Sequence, residues 1–149
     1  MSDLPTPVAY ERTFDALYGL VVDEQRDDLV RAHVDIQDHH KQPMGLVHGG
    51  LLASIAEAIT SMGTARVVIH DGEMAQGLSN QTNFLRPVFG SVIRATATRR
   101  HRGRTTWVWE VDITDEQDRL CAIIRMTIAV RPMPPEVAAR VRETHGDPT

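Results

Sequence analysis

The chain has 149 residues, 42% apolar and 24% charged, enough for one domain with a substantial core. Its formal net charge of −4 argues against a general nucleic-acid binder, which would have to neutralise phosphates. A single cysteine, Cys121, excludes an internal disulfide framework and points to a reducing cytoplasm.

The opening Met-Ser-Asp-Leu-Pro-Thr-Pro lacks the basic flank and apolar stretch of a signal peptide. No run approaches the ~20 apolar residues that cross a bilayer, so no membrane partner is expected. Residues 1–10 read as a loose arm. Residues 17–23 read as a strand, and 29–36 as a second, with Val30, Ala32, Val34 and Ile36 alternating on one face, so the two are expected to pair as a hairpin. A polar loop over 37–45 leads to a helix from about Gly50 to Val68, closed by Asp71-Gly72. Four strands follow, at roughly 74–86, 91–101, 105–114 and 119–131. The tail after 132 carries a short polar helix at 135–145. The order β-β-α-β-β-β-β predicts a single α+β domain over 1–149, with one long helix against one antiparallel sheet.

The helix is unusual. Leu51, Leu52, Ile55, Ile59 and Met62 form one face, expected to pack on the sheet. The other carries Gly50, Ala53, Ser54, Glu57, Ser61 and Thr64. Glu57 is the only formal charge between Gly49 and Ala65. Small residues suggest close approach by a ligand or a second chain, with Glu57 at least partly buried; pairing with a core arginine or plain exposure is the alternative.

Gly49 and Gly50 sit where loop becomes helix. Such a terminus presents unpaired N–H groups and a partial positive charge, which suit the oxyanion of an acyl-transfer intermediate. Glu57 suits a general base or nucleophile. Eight residues separate it from Gly49, or ~12 Å along a helix. One small carbonyl cannot easily touch both in one chain. Two antiparallel helices from two subunits would bring them together, which predicts a two-fold dimer with shared sites.

The ordered set Pro-Val-Ala-Tyr-Glu (7–11), Gly-Leu-Val-His-Gly-Gly (45–50), Ser-Asn-Gln-Thr-Asn-Phe-Leu-Arg-Pro-Val (79–88), Thr-Thr-Trp-Val-Trp (105–109), Arg-Leu-Cys-Ala (119–122) and Ile-Ala-Val-Arg-Pro (128–132) resembles the hotdog-fold acyl-CoA thioesterases of the phenylacetate-pathway type. Within these it is most similar to the 4-hydroxybenzoyl-CoA thioesterases that use a helix glutamate. The resemblance implies a sheet wrapped around the central helix, and hydrolysis of an aromatic or medium-chain acyl-CoA, with an aromatic acyl group such as 4-hydroxybenzoyl as the leading expectation. It implies that Glu57 is the nucleophile or the base for water, and that the Gly49 N–H polarises the thioester carbonyl. It places the Gln42 amide near that carbonyl and Ser61 where a hydroxyl orients the attacking water. His48 and Gly50 belong to the motif, His48 for turn geometry. Coenzyme A enters as part of the substrate, with no separate cofactor and no metal, and the family's dimer of dimers implies a homotetramer.

Residues 99–104, Arg-Arg-His-Arg-Gly-Arg, are conspicuous in an acidic chain. With Arg86, Thr105 and Thr106, which match family positions along coenzyme A, Arg102 and Arg104 form a candidate rim for its phosphates. The alternative is a solvated hairpin end. The family's arginines after the last strand are absent here, where Met133-Pro134 stands. Trp107 and Trp109 share a strand face with Val111 and Ile113 and are expected to pack. His39-His40 lack partners at metal-ligand spacing, and no Gly-x-Ser-x-Gly elbow occurs. Two rival functions remain open: a hotdog hydratase or dehydratase, and a non-catalytic acyl-CoA binder.

Overall fold

The computed structural model describes residues 8–145. Its elements are α1 (Phe14–Leu17), β1 (Val21–Gln25), β2 (Leu29–Asp35), α2 (Gly49–Val68), β3 (Glu73–Phe84), β4 (Val92–Arg102), β5 (Thr106–Thr114), β6 (Leu120–Pro132) and α3 (Pro135–His145). The six strands form one antiparallel sheet in the order β1-β2-β4-β5-β6-β3, curled around α2. This is the hotdog fold that the sequence resemblance implied.

The apolar alternation of the strands supplies the core. Val30, Val34, Ile93, Trp109, Val111, Ile113, Ile124, Met126 and Ile128 are almost fully buried and face α2. Each such side chain contributes about 1.5–3 kcal/mol through burial. From the helix side, Leu51, Leu52, Ile55 and Ile59 meet them, with Met62 packed at the margin. Close approach is secured at Gly63, where a Cβ would stand 2.9 Å from Val30 Cγ2 and 3.0 Å from the Trp109 ring. The stretch Gly49–Asp71 is long and apolar enough to cross a membrane, yet half of its most apolar part is buried in the fold, as in a core helix.

Three expectations are affected. The strand expected at 17–23 begins only at Val21, because Thr13 caps α1 and Gly19 turns the chain with φ +74°. Tyr18 and Leu20 are buried as loop residues, not as strand residues. The arm expected over 1–10 lies largely outside the described residues, and Tyr10–Arg12 forms one 3-10 turn. Thr64 is also misplaced by the helical-wheel reading. It is fully buried on the sheet side and accepts a hydrogen bond from Trp109 Nε1 at 2.9 Å.

The strand order leaves β3 on an edge, and none of its twelve residues is buried. A long unpaired edge is a template for another strand. The chain then crosses from β3 to β4 by residues 85–91, under the N-terminal end of α2. Val47 N–H donates to Val88 O (3.0 Å), and Leu85 and Arg86 N–H donate to Cys121 O (2.8 and 3.1 Å).

Candidate active site

The site begins at the first turn of α2. His48 is the N-cap, and its Nδ1 accepts the Gly50 N–H at 2.9 Å. Its carbonyl accepts the Leu51 N–H at 3.0 Å. These bonds satisfy two of the terminal donors, while none of the hydrogen bonds among the described residues uses the Gly49 N–H. A neutral His48 with Nδ1 as acceptor carries its proton on Nε2, so its ring serves the turn. A Cβ on Gly49 would lie 2.9 Å from two atoms of the Phe84 ring, so glycine lets the ring lie against this turn where it stands.

A cleft of about 450 Å³ opens beside the free N–H, lined by Gln42, Gly49, Leu52, Phe84, Arg86 and Val88 among others. Gln42 is carried by a short loop pinned by the Lys41–Val47 bridge and by Gln42 N–H to Leu46 O at 2.8 Å. His48 N–H to His40 O at 2.8 Å closes the base of that loop. His40 is buried and its Nδ1 accepts the Gln37 N–H at 3.0 Å. Burial, and then the charge of His39, lower its pKa and keep the ring neutral. His40 thus anchors this loop, while the exposed His39 only meets its ring edge-on at 4.1 Å; no cluster of three metal-ligating side chains occurs among the described residues.

Glu57 lies two turns further along α2 and does not line this cleft. In the single chain it is exposed, where the sequence pattern suggested partial burial. It forms no ion pair among the described residues, and a Cβ on Gly77 of β3 would stand 3.3 Å from its Oε1. Ser61 follows one turn later. Its Oγ is buried without a hydrogen-bond partner, whereas Thr60 and Thr64 bond back to helix carbonyls.

Tyr18 went unnoticed in the sequence. Its hydroxyl donates to Asp15 Oδ1 at 2.9 Å. Burial first, then this bond and the charges of Asp15 and Glu57, hold its proton far above the usual phenol range. The three-residue spacing of Asp15, in α1, and Tyr18, at its C-cap, was the available signal. Asn80 and Thr82, on the inner face of β3, stood out only as part of the 79–88 motif, with no role attached.

The basic residues divide. Arg99 and Arg102 lie over the Trp107 ring at 4.8 and 5.0 Å, and Arg100 pairs with Glu110 at 2.8 Å. Arg104 has no ion pair among the described residues. The Thr105 carbonyl accepts from Arg131 Nη1 (2.9 Å), and the Thr106 carbonyl from the Gly103 N–H (3.0 Å). Thr106 pairs with Ala129 at one end of β6, while Arg86 bonds Cys121 at the other. Eight strand residues are about 26 Å, so one chain does not bring Arg86 to Arg102, Arg104, Thr105 and Thr106.

Comparison with known proteins agrees with this architecture. Residues 44–122 match the family model described as the thioesterase superfamily. A 1,4-dihydroxy-2-naphthoyl-CoA hydrolase of Listeria monocytogenes is 38% identical over 98 residues, 66% of this chain and 79% of that protein. The structure of thioesterase HI1161 from Haemophilus influenzae superposes with a TM-score of 0.77 at 30% identity, covering 82% of this chain and 85% of the other. A glutamine-to-alanine variant of thioesterase PA1618 from Pseudomonas aeruginosa gives 0.79 at 28% identity, covering 83% and 88%. The chain belongs to the thioesterase superfamily, and it is an acyl-CoA thioester hydrolase.

Proposed function

We propose that the protein hydrolyses an aromatic acyl-CoA in a site shared by two antiparallel chains. The carrying observation is the separation within one chain. The free Gly49 N–H and the exposed Glu57 carboxylate lie eight residues apart on α2, ~12 Å along its axis. A second chain, turned by a two-fold axis at the level of Ala53, would place its Glu57 opposite the first chain's Gly49. Ala53 is midway between the two, and Asn80 of the open edge strand bonds its carbonyl. The same operation would carry residues 102–106 of one chain to the Arg86 end of the other.

In this reading the thioester carbonyl accepts from Gly49 N–H, with the Gln42 amide beside it. Glu57 either attacks the carbonyl carbon or takes a proton from water that does so, with the Ser61 hydroxyl orienting that water. The C–S bond breaks and coenzyme A leaves as the thiol; with water as nucleophile the acyl group leaves directly as the acid, and with Glu57 as nucleophile it stays as a mixed anhydride until a water cleaves it to the acid and restores the carboxylate. Such chemistry needs donors, a nucleophile and a pocket, and calls for no cofactor or metal. Arg86, Arg102, Arg104, Thr105 and Thr106 hold coenzyme A. The protein works in the cytoplasm as a homotetramer of two such dimers. The acyl group is 4-hydroxybenzoyl or a related aryl group. The Listeria hydrolase, named for a hydroxylated naphthoyl-CoA, supports an aromatic preference.

Thiol release from benzoyl-, 4-hydroxybenzoyl-, 1,4-dihydroxy-2-naphthoyl- and octanoyl-CoA tests this. Aryl substrates should give the highest kcat/KM. Glu57→Gln and Glu57→Ala should lower kcat by about 10²–10⁴-fold while substrate binding survives. Unchanged release in both variants would refute the assigned mechanism, and a clear preference for octanoyl-CoA would refute the substrate class.

A further inference from the structure

The inner face of β3 breaks the rule that the neighbouring strand follows. Opposite the buried Ile128, Met126 and Ile124 of β6 it places Gly77, Asn80 and Thr82. Asparagine is disfavoured in strands and gains nothing there from apolar neighbours. Its amide is instead committed at both ends. Nδ2 donates to Ala53 O at 3.0 Å, and Oδ1 accepts from Thr82 Oγ1 at 2.7 Å. A carbonyl can only accept, so the NH₂ group must face Ala53 and the amide has one orientation. In an α-helix the Ala53 carbonyl also accepts the N–H of residue 57. Asn80 therefore grips the peptide group from which the Glu57 turn hangs. That carbonyl already has its helical partner and Asn80 is exposed, so the bond repairs no buried vacancy.

A β-bulge makes the grip possible. Gly77 and Asn80 are three residues apart, and in a regular strand they would point to opposite faces. The register shifts between Gly77 and Ser79, which leaves Leu78 unpaired. Gly77 then pairs with Ile128 and Asn80 with Met126, and both face α2. One contact makes room for the Glu57 carboxylate, and the other fixes the turn above it.

We infer that Asn80, oriented by Thr82, is a positioning residue that fixes Glu57 of its own chain over β3 and so aims the carboxylate at the carbonyl site. This rests on the catalytic reading of Glu57 given above. The test uses Asn80→Ala and Thr82→Val in the full chain, with the fastest acyl-CoA of the panel. Asn80→Ala should lower kcat about tenfold, as small misplacements do, with KM held within about twofold and the melting temperature kept. Thr82→Val should lower kcat by less, because the amide loses only its orienting donor. In a Glu57→Gln background, followed in single turnovers, Asn80→Ala should have no further effect, since it acts through Glu57. Three results overturn the inference: an unchanged kcat in Asn80→Ala, a kcat loss that appears only with a lowered melting temperature, or a full additional loss in the Glu57→Gln background. In each of these the catalytic role of Glu57 stands if Glu57→Gln alone is slow. If Glu57→Gln hydrolyses at the parent rate, both readings fail together.

Discussion

Glu57 Oε1 lies directly over Gly77, so close that a Cβ there would stand 3.3 Å away. The helix carboxylate and the edge strand are thus fitted to each other by the lack of a side chain. Alanine in the middle of a strand is ordinarily better than glycine by about 0.5–1 kcal/mol. At position 77 it would push the carboxylate by a few tenths of an ångström. Gly77→Ala should therefore keep or raise the urea midpoint while lowering kcat by roughly 3- to 10-fold. A variant with parent kcat would show that the carboxylate does not depend on this contact.

Gly49 and Phe84 make the second close pair. A methyl group on Gly49 would collide with the ring at 2.9 Å, so either the exposed ring swings aside into the cleft or the helix turn that carries the free N–H shifts. Gly49→Ala should lower kcat by about 10–10²-fold, less than the ~10²–10³ of a removed oxyanion donor. Adding Phe84→Ala removes the collision and should restore part of that loss. If the double variant is no faster than Gly49→Ala, crowding by Phe84 is not the cause.

Much of this arrangement was legible in the sequence, for reasons that also explain the rest. Strands β2 to β6 and helix α2 fall within two residues of their expected bounds, because their apolar residues keep period 2 or 3.6 over long stretches. The run Leu17 to Val22 is too short and too uniformly apolar for periodicity to resolve. Thr13 as a cap and Gly19 as a stop were the better guides. Gly49 and Glu57 stood out as residue types on one helix. Their surroundings did not, since the Gly77 and Asn80 contacts depend on a bulge that a strict alternation places on the wrong face. The exposure of Glu57 was hidden for another reason: a face of small residues marks a place of close approach without saying whether the same chain supplies the covering surface.

Gly63 tests the helix–sheet distance. Replacing glycine inside a helix gains about 1 kcal/mol in propensity. Here the new methyl group would meet Val30 Cγ2 at 2.9 Å and the Trp109 ring at 3.0 Å, both fully buried and unable to yield. Overpacking costs about 1–3 kcal/mol and decides the sign, so Gly63→Ala should be destabilised in urea. Thr64→Val should lose about 1–2 kcal/mol as well, because Trp109 Nε1 is left without its acceptor. Equal or greater stability in either variant would contradict the packing described.

Glu116 gives the fold a pH-dependent fastening. Its Oε2 accepts from the Ser91 N–H at 2.9 Å and from the Ser91 hydroxyl, at the point where the crossover that lines the cleft enters β4. These bonds, the Ser91 hydroxyl first, hold the carboxyl at about 2, below its ordinary 4.5. A depressed folded-state value means that the unfolded chain takes up the proton first as the solution is acidified. The contribution is therefore complete above about pH 5 and fades as pH falls from there toward 2. Its size is small, since the carboxylate is exposed and screened by solvent. Glu116→Gln keeps an acceptor for Ser91 but cannot titrate. The parent should be the more stable of the two in urea at pH 6, and the gap should shrink at pH 3. A gap of the same size at both pH values would mean that the ionised carboxylate contributes nothing to this junction.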